Sequence, residues 1–581
     1  MNTEELMKKA MGDVDIEGVS RNIQWMVDHV PYRIAGSEDE RIASEYVTDY
    51  MKKYGLETKN EEFYTFNSFP LESEIEILEP VNMKIDSLPC AHIRSTSKEG
   101  DEFEIVYIGN GSEEEYKDKD VKGKIVLVEV SYAPPVPEKG RIAWKKGAAG
   151  MMCMNWGNDE EVICNRGLKA VWGNPTEETV KNIPQIVGVG ITRNAGLMIK
   201  KMCLEGNTVK AKIKAIAKNE WGKVRQPFGI LHGNGKSKEF ILVASHLDAW
   251  KPGVTCNATG DSTTMEMIRI LSKYREYLDR DIWFTYWDGH EIAEAAGSTW
   301  FVDEYWEELS KNCIAYVNVD STGMREATLY EIKASDELYD FMENHARGIL
   351  DCDLRMTGLG KIGDQSFMGI GIPATAQRMS FTKEYMEHAH GATLGWWNHT
   401  KEDGFDKYSP ENIKKDIDST MTMLIRLSNE EKIPYEFQRK FDTIQNKLTQ
   451  IKDTGEIGVD HLIQLAKTAE DAVVKIQGRK DEITDERKIS FYNEFVKMVS
   501  RKITNVFQTY VNKYQQDSYG FTSLSKPVPL LADMERLETL SPDTMEYGMV
   551  RTQLIKNRNR ILDGLMDVIS MAELYEKIIF E

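Results

Sequence analysis

Side chains of metal-binding type recur through the central part of the chain. They are His246, Cys256, Glu291, Asp320 and His399. Imidazole and carboxylate groups are the usual ligands of zinc, because they hold lone pairs a short distance apart. A hydrolytic site adds a base that takes a proton from the attacking water. The set predicts a metal-dependent site, in which Asp248, two residues after His246, orients the His246 ring.

Apolar runs precede three of these residues and predict buried strands. The runs 240–245, 281–287 and 314–319 end just before His246, Glu291 and Asp320. Helical patterns separate the runs, which is typical of a parallel-rich α/β sheet. Functional residues collect beyond the carboxyl ends of strands in such sheets. The shared position supports a single site.

The pattern of apolar and polar residues along the chain predicts four segments. Residues 1–79 and 219–430 alternate helices and strands, and we expect them to form one α/β domain. Residues 80–218 contain short strands with one or two helices, which indicates an inserted β-rich module. Residues 431–581 carry apolar residues at helical spacing and predict a helical domain. The predicted fold class is α/β, with a mixed, mostly parallel sheet flanked by helices.

Charge and composition disfavour several classes of partner. The chain has 73 Lys and Arg against 94 Asp and Glu, a formal net charge of −21, which opposes binding to nucleic acid or an anionic membrane. No run of about 18 apolar residues predicts a membrane span, and the first residues lack the apolar core of a signal peptide. The seven cysteines have no CxxC spacing, which favours reduced thiols in the cytoplasm.

Four sequence segments have the form of known peptidase motifs: PYRIAGS at 31–37, SHLDAW at 245–250, AYVNVDS at 315–321 and WNHTKED at 397–403. They resemble the co-catalytic zinc peptidases of the aminopeptidase, glutamate carboxypeptidase and transferrin receptor type, peptidase family M28. Residues 80–218 resemble a protease-associated domain through VKGKIVL and KGAAGM, and the C-terminal helices resemble the dimerising domain of the carboxypeptidase group. The resemblance implies a zinc-peptidase fold, a small-molecule or peptide substrate and a homodimer.

Carried over by position, the resemblance assigns His246 and Asp320 to one metal ion and Glu291 and His399 to another. Cys256 stands where the family has a carboxylate that bridges both ions. A thiolate can bridge two zinc ions, but it is softer than a carboxylate and favours zinc, nickel or iron. We therefore expect one or two zinc ions or another divalent transition metal. Cys256 is a ligand, a nucleophile whose pKa a helix start lowers, or a packed neutral thiol.

The residue pair His290–Glu291 replaces the two adjacent glutamates of the family, of which the first is the general base and the second a ligand. In this register His290 is the catalytic base, which suits neutral pH, and Glu291 is the ligand. One extra residue precedes Gly297, so another register makes Glu291 the base and removes the ligand. The alignment of 287–289 with the strand end favours the first register. His388 and His390 are predicted substrate contacts or alternative ligands.

Three functions are compatible with this sequence. The first is hydrolysis of an amide or peptide bond in a small peptide or acyl-amino acid. The second is non-peptidase metal chemistry on a small polar substrate, with Cys256 and His290 as the altered residues. The third is a catalytically inactive binding or scaffold homologue, as the transferrin receptor is within this group. Retention of four ligand positions favours the first two.

Overall fold

The computed structural model of the protein describes residues 1–158, 161–359, 365–453, 455–518 and 526–581. The strands are β1 (Glu57–Glu79), β2 (Met83–Ile85), β3 (Ser87–Pro89), β4 (Asp101–Tyr107), β5 (Ile125–Glu129), β6 (Gly150–Met154), β7 (Val187–Ile191), β8 (Val209–Leu231), β9 (Phe240–His246), β10 (Asp281–Trp287), β11 (Cys313–Asn318), β12 (Leu329–Ala334), β13 (Leu354–Thr357) and β14 (Ala374–Ser380). The helices are α1 (Thr3–Gly12), α2 (Ile16–His29), α3 (Glu38–Lys53), α4 (Val136–Lys145), α5 (Arg193–Leu204), α6 (Thr259–Lys273), α7 (Ala296–Glu304), α8 (Trp306–Asn312), α9 (Tyr339–Ile349), α10 (Gln365–Met368), α11 (Lys383–His388), α12 (Pro410–Asn429), α13 (Gln438–Thr449), α14 (Val459–Gln477), α15 (Glu486–Gln508), α16 (Met534–Thr539) and α17 (Met545–Phe580).

The centre of the sheet is parallel. Strand β9 lies between β10 and β11, and β11 pairs with β14, all in parallel. Every residue of β9, β10 (after its first) and β11 is buried, because helices or loops cover both faces. Alternate residues of β9 pack on opposite sides: Ile241 and Val243 join the core beneath α2 and α6, whereas Leu242 packs with Trp287 and Tyr316. The apolar runs of the sequence therefore form the middle of the fold.

The carboxyl ends of these parallel strands lie at one edge of the sheet. His246 is the last residue of β9 and pairs in register with Trp287, the last residue of β10. Asn318 of β11 is level with Ala244, so Asp320 follows at the same edge. This arrangement confirms the mostly parallel α/β sheet expected from the sequence.

A long antiparallel pair of strands connects the central sheet to the inserted module. Strands β1 and β8 each span 23 residues and pair along nearly their whole length. The second half of β8 pairs with β10, and the first half pairs with β4 of the insert. The sheet therefore continues through β4, β5, β6, β7 and β3. The insert has its own apolar core, but it shares β8 with the central sheet, a continuity that the sequence pattern did not indicate.

The C-terminal segment is helical, as expected. Helices α13 to α17 share the large core that also includes α2, α6 and α12. Arg501 of α15 fixes this segment to the sheet domain, because its guanidinium donates to the main-chain oxygens of Leu309, Cys313 and Gly371. Among the described residues, no helix has both the length and the apolar character to cross a membrane.

Candidate metal centre

Three groups of donor atoms meet at the strand edge. Two of them share the thiol of Cys256, and the third consists of His246, His290 and Glu291. In the first group, Nε2 of His246 lies 3.4 Å from Asp320 Oδ1 and 3.6 Å from Cys256 Sγ. In the second group, Glu291 Oε1 lies 3.2 Å from Cys256 Sγ and 2.9 Å from Nε2 of His399. The donor atoms of each group all lie within 4.8 Å of one another, as the ligands of a single ion would. The structure thus brings together all five residues selected from the sequence.

The turn that carries Cys256 is held by the segment that carries His399. Cys256 lies in a distorted turn over Val254–Ala258, just before α6. The carboxylate of Asp403 accepts hydrogen bonds from the main-chain N–H groups of Thr255 and Cys256, at 2.9 and 3.1 Å, and from the Thr255 hydroxyl at 2.7 Å. These bonds fix the direction of the Cys256 side chain towards the other donors.

Cys256 is surrounded by negative groups rather than by the positive end of a helix. Burial, followed by the charges of Glu291 and Asp320, raises the pKa of the Cys256 thiol well above its usual value. The protein groups alone therefore favour the neutral thiol, and a thiolate requires a cation among these donors. This environment opposes the alternative of a nucleophile activated by a helix start and is compatible with the other two, a metal ligand and a packed neutral thiol.

His246 is oriented as a metal ligand requires. Its Nδ1 lies 2.9 Å from the main-chain oxygen of Asp248, so in the neutral ring Nδ1 carries the hydrogen and the lone pair of Nε2 faces Cys256 and Asp320. Asp248 orients this ring through its main-chain oxygen rather than through its carboxylate. The carboxylate instead accepts the N–H groups of His290 and Glu291, at 2.8 and 3.0 Å, and so positions the turn after β10.

His290 stacks on His246 instead of pointing away from the cluster. The ring centroids are 4.3 Å apart with an interplanar angle of 16°. Burial, with His246 beside it, lowers the pKa of His290 to about 4, and its buried Nδ1 has no hydrogen-bond partner among the described residues. At this pKa the imidazole is neutral near pH 7 and can accept a proton, but it is a weaker base than the sequence led us to expect.

The extra residue before α7 is taken up after Glu291. Glu294 and Ala295 both have positive φ, 49° and 63°, and form a tight bend into the helix. The register from Trp287 to Glu291 therefore continues directly from β10. Glu291 points into the donor cluster, where the indole N–H of Trp250 donates to its second oxygen at 3.2 Å. This placement supports the register in which Glu291 is a ligand-type residue.

His399 has a different environment from His246. Its Nδ1 lies 3.1 Å from a guanidinium nitrogen of Arg166, a residue of the insert. A guanidinium only donates hydrogen bonds, so Nδ1 accepts and the hydrogen of the neutral ring lies on Nε2. That hydrogen points to Glu291 Oε1. His246, Cys256 and Asp320 fit a divalent cation, whereas His399 in this arrangement does not present a lone pair to one.

The insert contributes contacts to the site that sequence reasoning missed. Lys169 Nζ donates to the main-chain oxygen of Ala293 at 2.5 Å. Nε2 of His92 lies 2.7 Å from the main-chain oxygen of Ile292. Both side chains are buried. The one signal in the sequence was a lysine inside the run LKAVW, because a charged residue in an apolar run is rarely buried without a partner.

His388 and His390 lie outside the donor cluster. His388 is exposed at the end of α11, and neither residue belongs to a possible metal group in the described part of the chain. Their loop contacts the insert, where the Gly157 N–H donates to the Ala389 oxygen at 3.1 Å. The two histidines thus lie at the boundary between insert and catalytic domain.

Comparison with known proteins agrees with this geometry. Residues 229–423 match the family model of peptidase family M28, and residues 100–199 match that of the PA domain. Residues 229–423 are thus similar to the M28 peptidases. The resemblance found in the sequence is therefore confirmed, including the PA domain within the M28 fold. The matched M28 residues include every residue of the donor cluster.

The curated relatives are distant. A segment of 316 residues is 23% identical to the probable glutamate carboxypeptidase LAMP1 of Arabidopsis thaliana, covering 49% of this chain and 44% of that protein. A shorter segment of 105 residues is 30% identical to the aminopeptidase NAALADL1 of Mus musculus, covering 17% of this chain and 14% of that protein. The chain thus matches less than half the length of these relatives.

Solved structures share the fold of the M28 domain. The aminopeptidase from Aneurinibacillus sp. strain AM-1 is similar with a TM-score of 0.55 and 22% identity, over 73% of this chain and 96% of that one. A peptidase M28 precursor from Shewanella amazonensis has a TM-score of 0.58 and 16% identity, over 74% and 96%. The chain therefore shares the fold of these two peptidases.

Proposed function

We propose that this protein is a metal-dependent hydrolase of amide or peptide bonds in small peptides or acyl-amino acids. The observation that carries the proposal is the convergence of His246, Cys256 and Asp320 at the carboxyl edge of the parallel sheet. The M28 match of residues 229–423 supports the same chemistry. Histidine and thiolate ligands suit zinc, which is the metal we propose.

A divalent cation at these donors would act as a Lewis acid on the carbonyl of the substrate. The chain supplies the groups around it. His290 offers an unpartnered ring nitrogen beside His246 and is the proposed proton acceptor. Asp248 fixes the His290 main chain, and Trp250 fixes Glu291, so the two side chains keep their positions during the reaction.

A cavity beside Trp250, whose indole donates to Glu291, has the size of a small-ligand site, although none of the five donor residues lines it. It has a volume of about 830 Å³ and lies between the insert and the catalytic domain. Its walls include Trp250, Lys251 and Lys401 on one side and Asn165 and Thr192 on the other. Sites for small ligands usually measure about 300–1,000 Å³, so a short peptide or an acyl-amino acid fits this cavity.

The test is metal content followed by a substrate screen. Purified protein is analysed for bound metal and assayed on dipeptides and N-acyl amino acids, before and after chelation and after zinc is returned. We expect turnover that chelation abolishes and zinc restores. Asp320→Asn should lose metal and activity, whereas Asp340→Asn, a change of the same kind on an exposed side chain of α9, should retain both.

Each negative outcome favours one of the other functions. Bound metal without amide hydrolysis would favour non-peptidase chemistry on a small polar substrate. Absence of metal from protein that was purified without chelator and supplied with zinc would favour a binding or scaffold protein. The homodimer and the cytoplasmic location stay predictions, and light scattering of the purified protein tests the first of them.

A further inference from the structure

We infer that Arg166 of the insert keeps His399 out of metal coordination, so that the site holds one cation, at His246, Cys256 and Asp320, rather than two. The inference rests on the proposed metal-dependent function and concerns the number of ions. Its structural basis is the different hydrogen bonding of two histidines that face the same thiol, at 3.6 Å in each case.

The two rings are fixed in opposite tautomers. Nδ1 of His246 faces a main-chain oxygen, which only accepts, so in the neutral ring the hydrogen lies on Nδ1 and Nε2 is the nitrogen that can bind a metal. Nδ1 of His399 faces the Arg166 guanidinium, which only donates, so its Nε2 carries the hydrogen. A histidine binds a metal through a nitrogen that bears no hydrogen. His246 is therefore prepared for a cation, and His399 is not.

The Arg166 guanidinium contacts the ring of Trp156 as well as that of His399. The guanidinium carbon lies 4.2 Å from the ring centre of Trp156, and the Trp156 indole donates to the main-chain oxygen of Trp396 at 3.2 Å. The neighbouring Asn165 donates both its N–H and its side-chain amide to the His399 oxygen, at 2.8 and 2.9 Å. Ring and main chain of His399 are thus bound by adjacent residues of the insert.

Glu291 completes the arrangement without a second ion. One carboxylate oxygen accepts from His399 Nε2 and from the Cys256 thiol, and the other accepts from Trp250. Its negative charge is therefore satisfied by donors of the protein. A second cation near His399 would also be repelled by the guanidinium charge one ring away. In this arrangement Arg166 and His399 are positioning residues for Glu291.

Cobalt titration of the metal-free protein measures the number of ions directly. Cobalt(II) is added in steps, and bound metal is determined by absorbance and by elemental analysis after removal of free metal. We expect one equivalent for the wild type. His399→Gln should also bind one equivalent, because His399 is not a ligand of that ion.

Arg166→Gln should create the second position. The amide oxygen of glutamine accepts a hydrogen from Nδ1, which frees Nε2, and partners of this kind change metal affinity by about 10- to 100-fold. We expect a second equivalent in Arg166→Gln that is lost again in the double variant with His399→Gln. Arg166→Lys, whose ammonium only donates, should keep one equivalent. Arg141 pairs with Glu138 within α4, and Arg141→Gln is the matched control. This variant should also keep one equivalent of bound metal.

Two equivalents in the wild type, or loss of the tight equivalent in His399→Gln, would overturn the inference. One equivalent in well-folded Arg166→Gln would show that Arg166 is not the excluding group. If circular dichroism shows that Arg166→Gln is unfolded, the wild type and His399→Gln decide the number of ions. One bound equivalent without amide hydrolysis would refute the proposed function and leave this inference standing.

Discussion

Lys169 is a fully buried amine whose ionisation should be visible in the stability of the protein. Its Nζ is bound to the Ala293 oxygen, and burial lowers its pKa from 10.5 to about 7. Below about pH 7 the amine is charged in both the folded and the unfolded state, and the folded state bears the full cost of a buried charge. Between about pH 7 and pH 10.5 the unfolded chain binds one more proton than the folded protein, so stability rises with pH.

The size of this effect follows from the difference in pKa between the folded and unfolded states. A pKa difference of one corresponds to about 1.4 kcal/mol, so the full difference for Lys169 corresponds to about 5 kcal/mol. A series of unfolding measurements from about pH 6 to about pH 9.5 covers the larger part of this free energy, about 3 kcal/mol. Lys169→Met removes the titrating group. The stability of Lys169→Met relative to wild type should therefore fall by about 3 kcal/mol across the series.

Denaturant unfolding at each pH measures this difference. Subtracting the wild type removes the contributions of all other titrating groups, because they are common to both proteins. Lys181→Met, a change of the same kind at an exposed position of the insert, should differ from wild type by a constant amount at all pH values. A difference between Lys169→Met and wild type that does not depend on pH would refute the argument that Lys169 is buried and mostly neutral at high pH.

Two further predictions concern the donor cluster. Asp403→Asn places an amide against the Thr255 and Cys256 N–H groups, which loosens the Cys256 turn. We expect metal affinity, measured by competition with a chelator, to fall by about 10- to 100-fold. Unchanged affinity would show that the turn does not need Asp403. His290→Ala should abolish turnover and leave metal content unchanged if His290 is the proton acceptor; loss of metal would make it a ligand.

The sequence predicted the parts of the site that lie at strand ends. His246, Glu291 and Asp320 each follow an apolar run, and parallel strands bring their carboxyl ends to one edge. Cys256 and His399 were selected because their positions match a family pattern, and the structure places both in the cluster. Local patterns therefore located the donors, and the parallel order of the strands explains why they meet.

The contributions of the insert could not be predicted from the sequence. Arg166 is separated from His399 by 233 residues, and no spacing rule connects two such positions. Their contact depends on how the insert packs beyond the β1–β8 strand pair. The direction of Asp248 is a similar case, because spacing places it near His246 and does not tell whether its carboxylate or its main-chain oxygen contacts the ring.

X-ray absorption at the zinc edge tests the proposed metal centre most directly. The zinc-loaded protein should show one sulfur neighbour at about 2.3 Å together with nitrogen and oxygen neighbours at about 2.0–2.2 Å. In Cys256→Asp the sulfur contribution should disappear while zinc stays bound. A wild-type spectrum with nitrogen and oxygen neighbours alone, from protein that retains its zinc, would contradict Cys256 as a metal ligand.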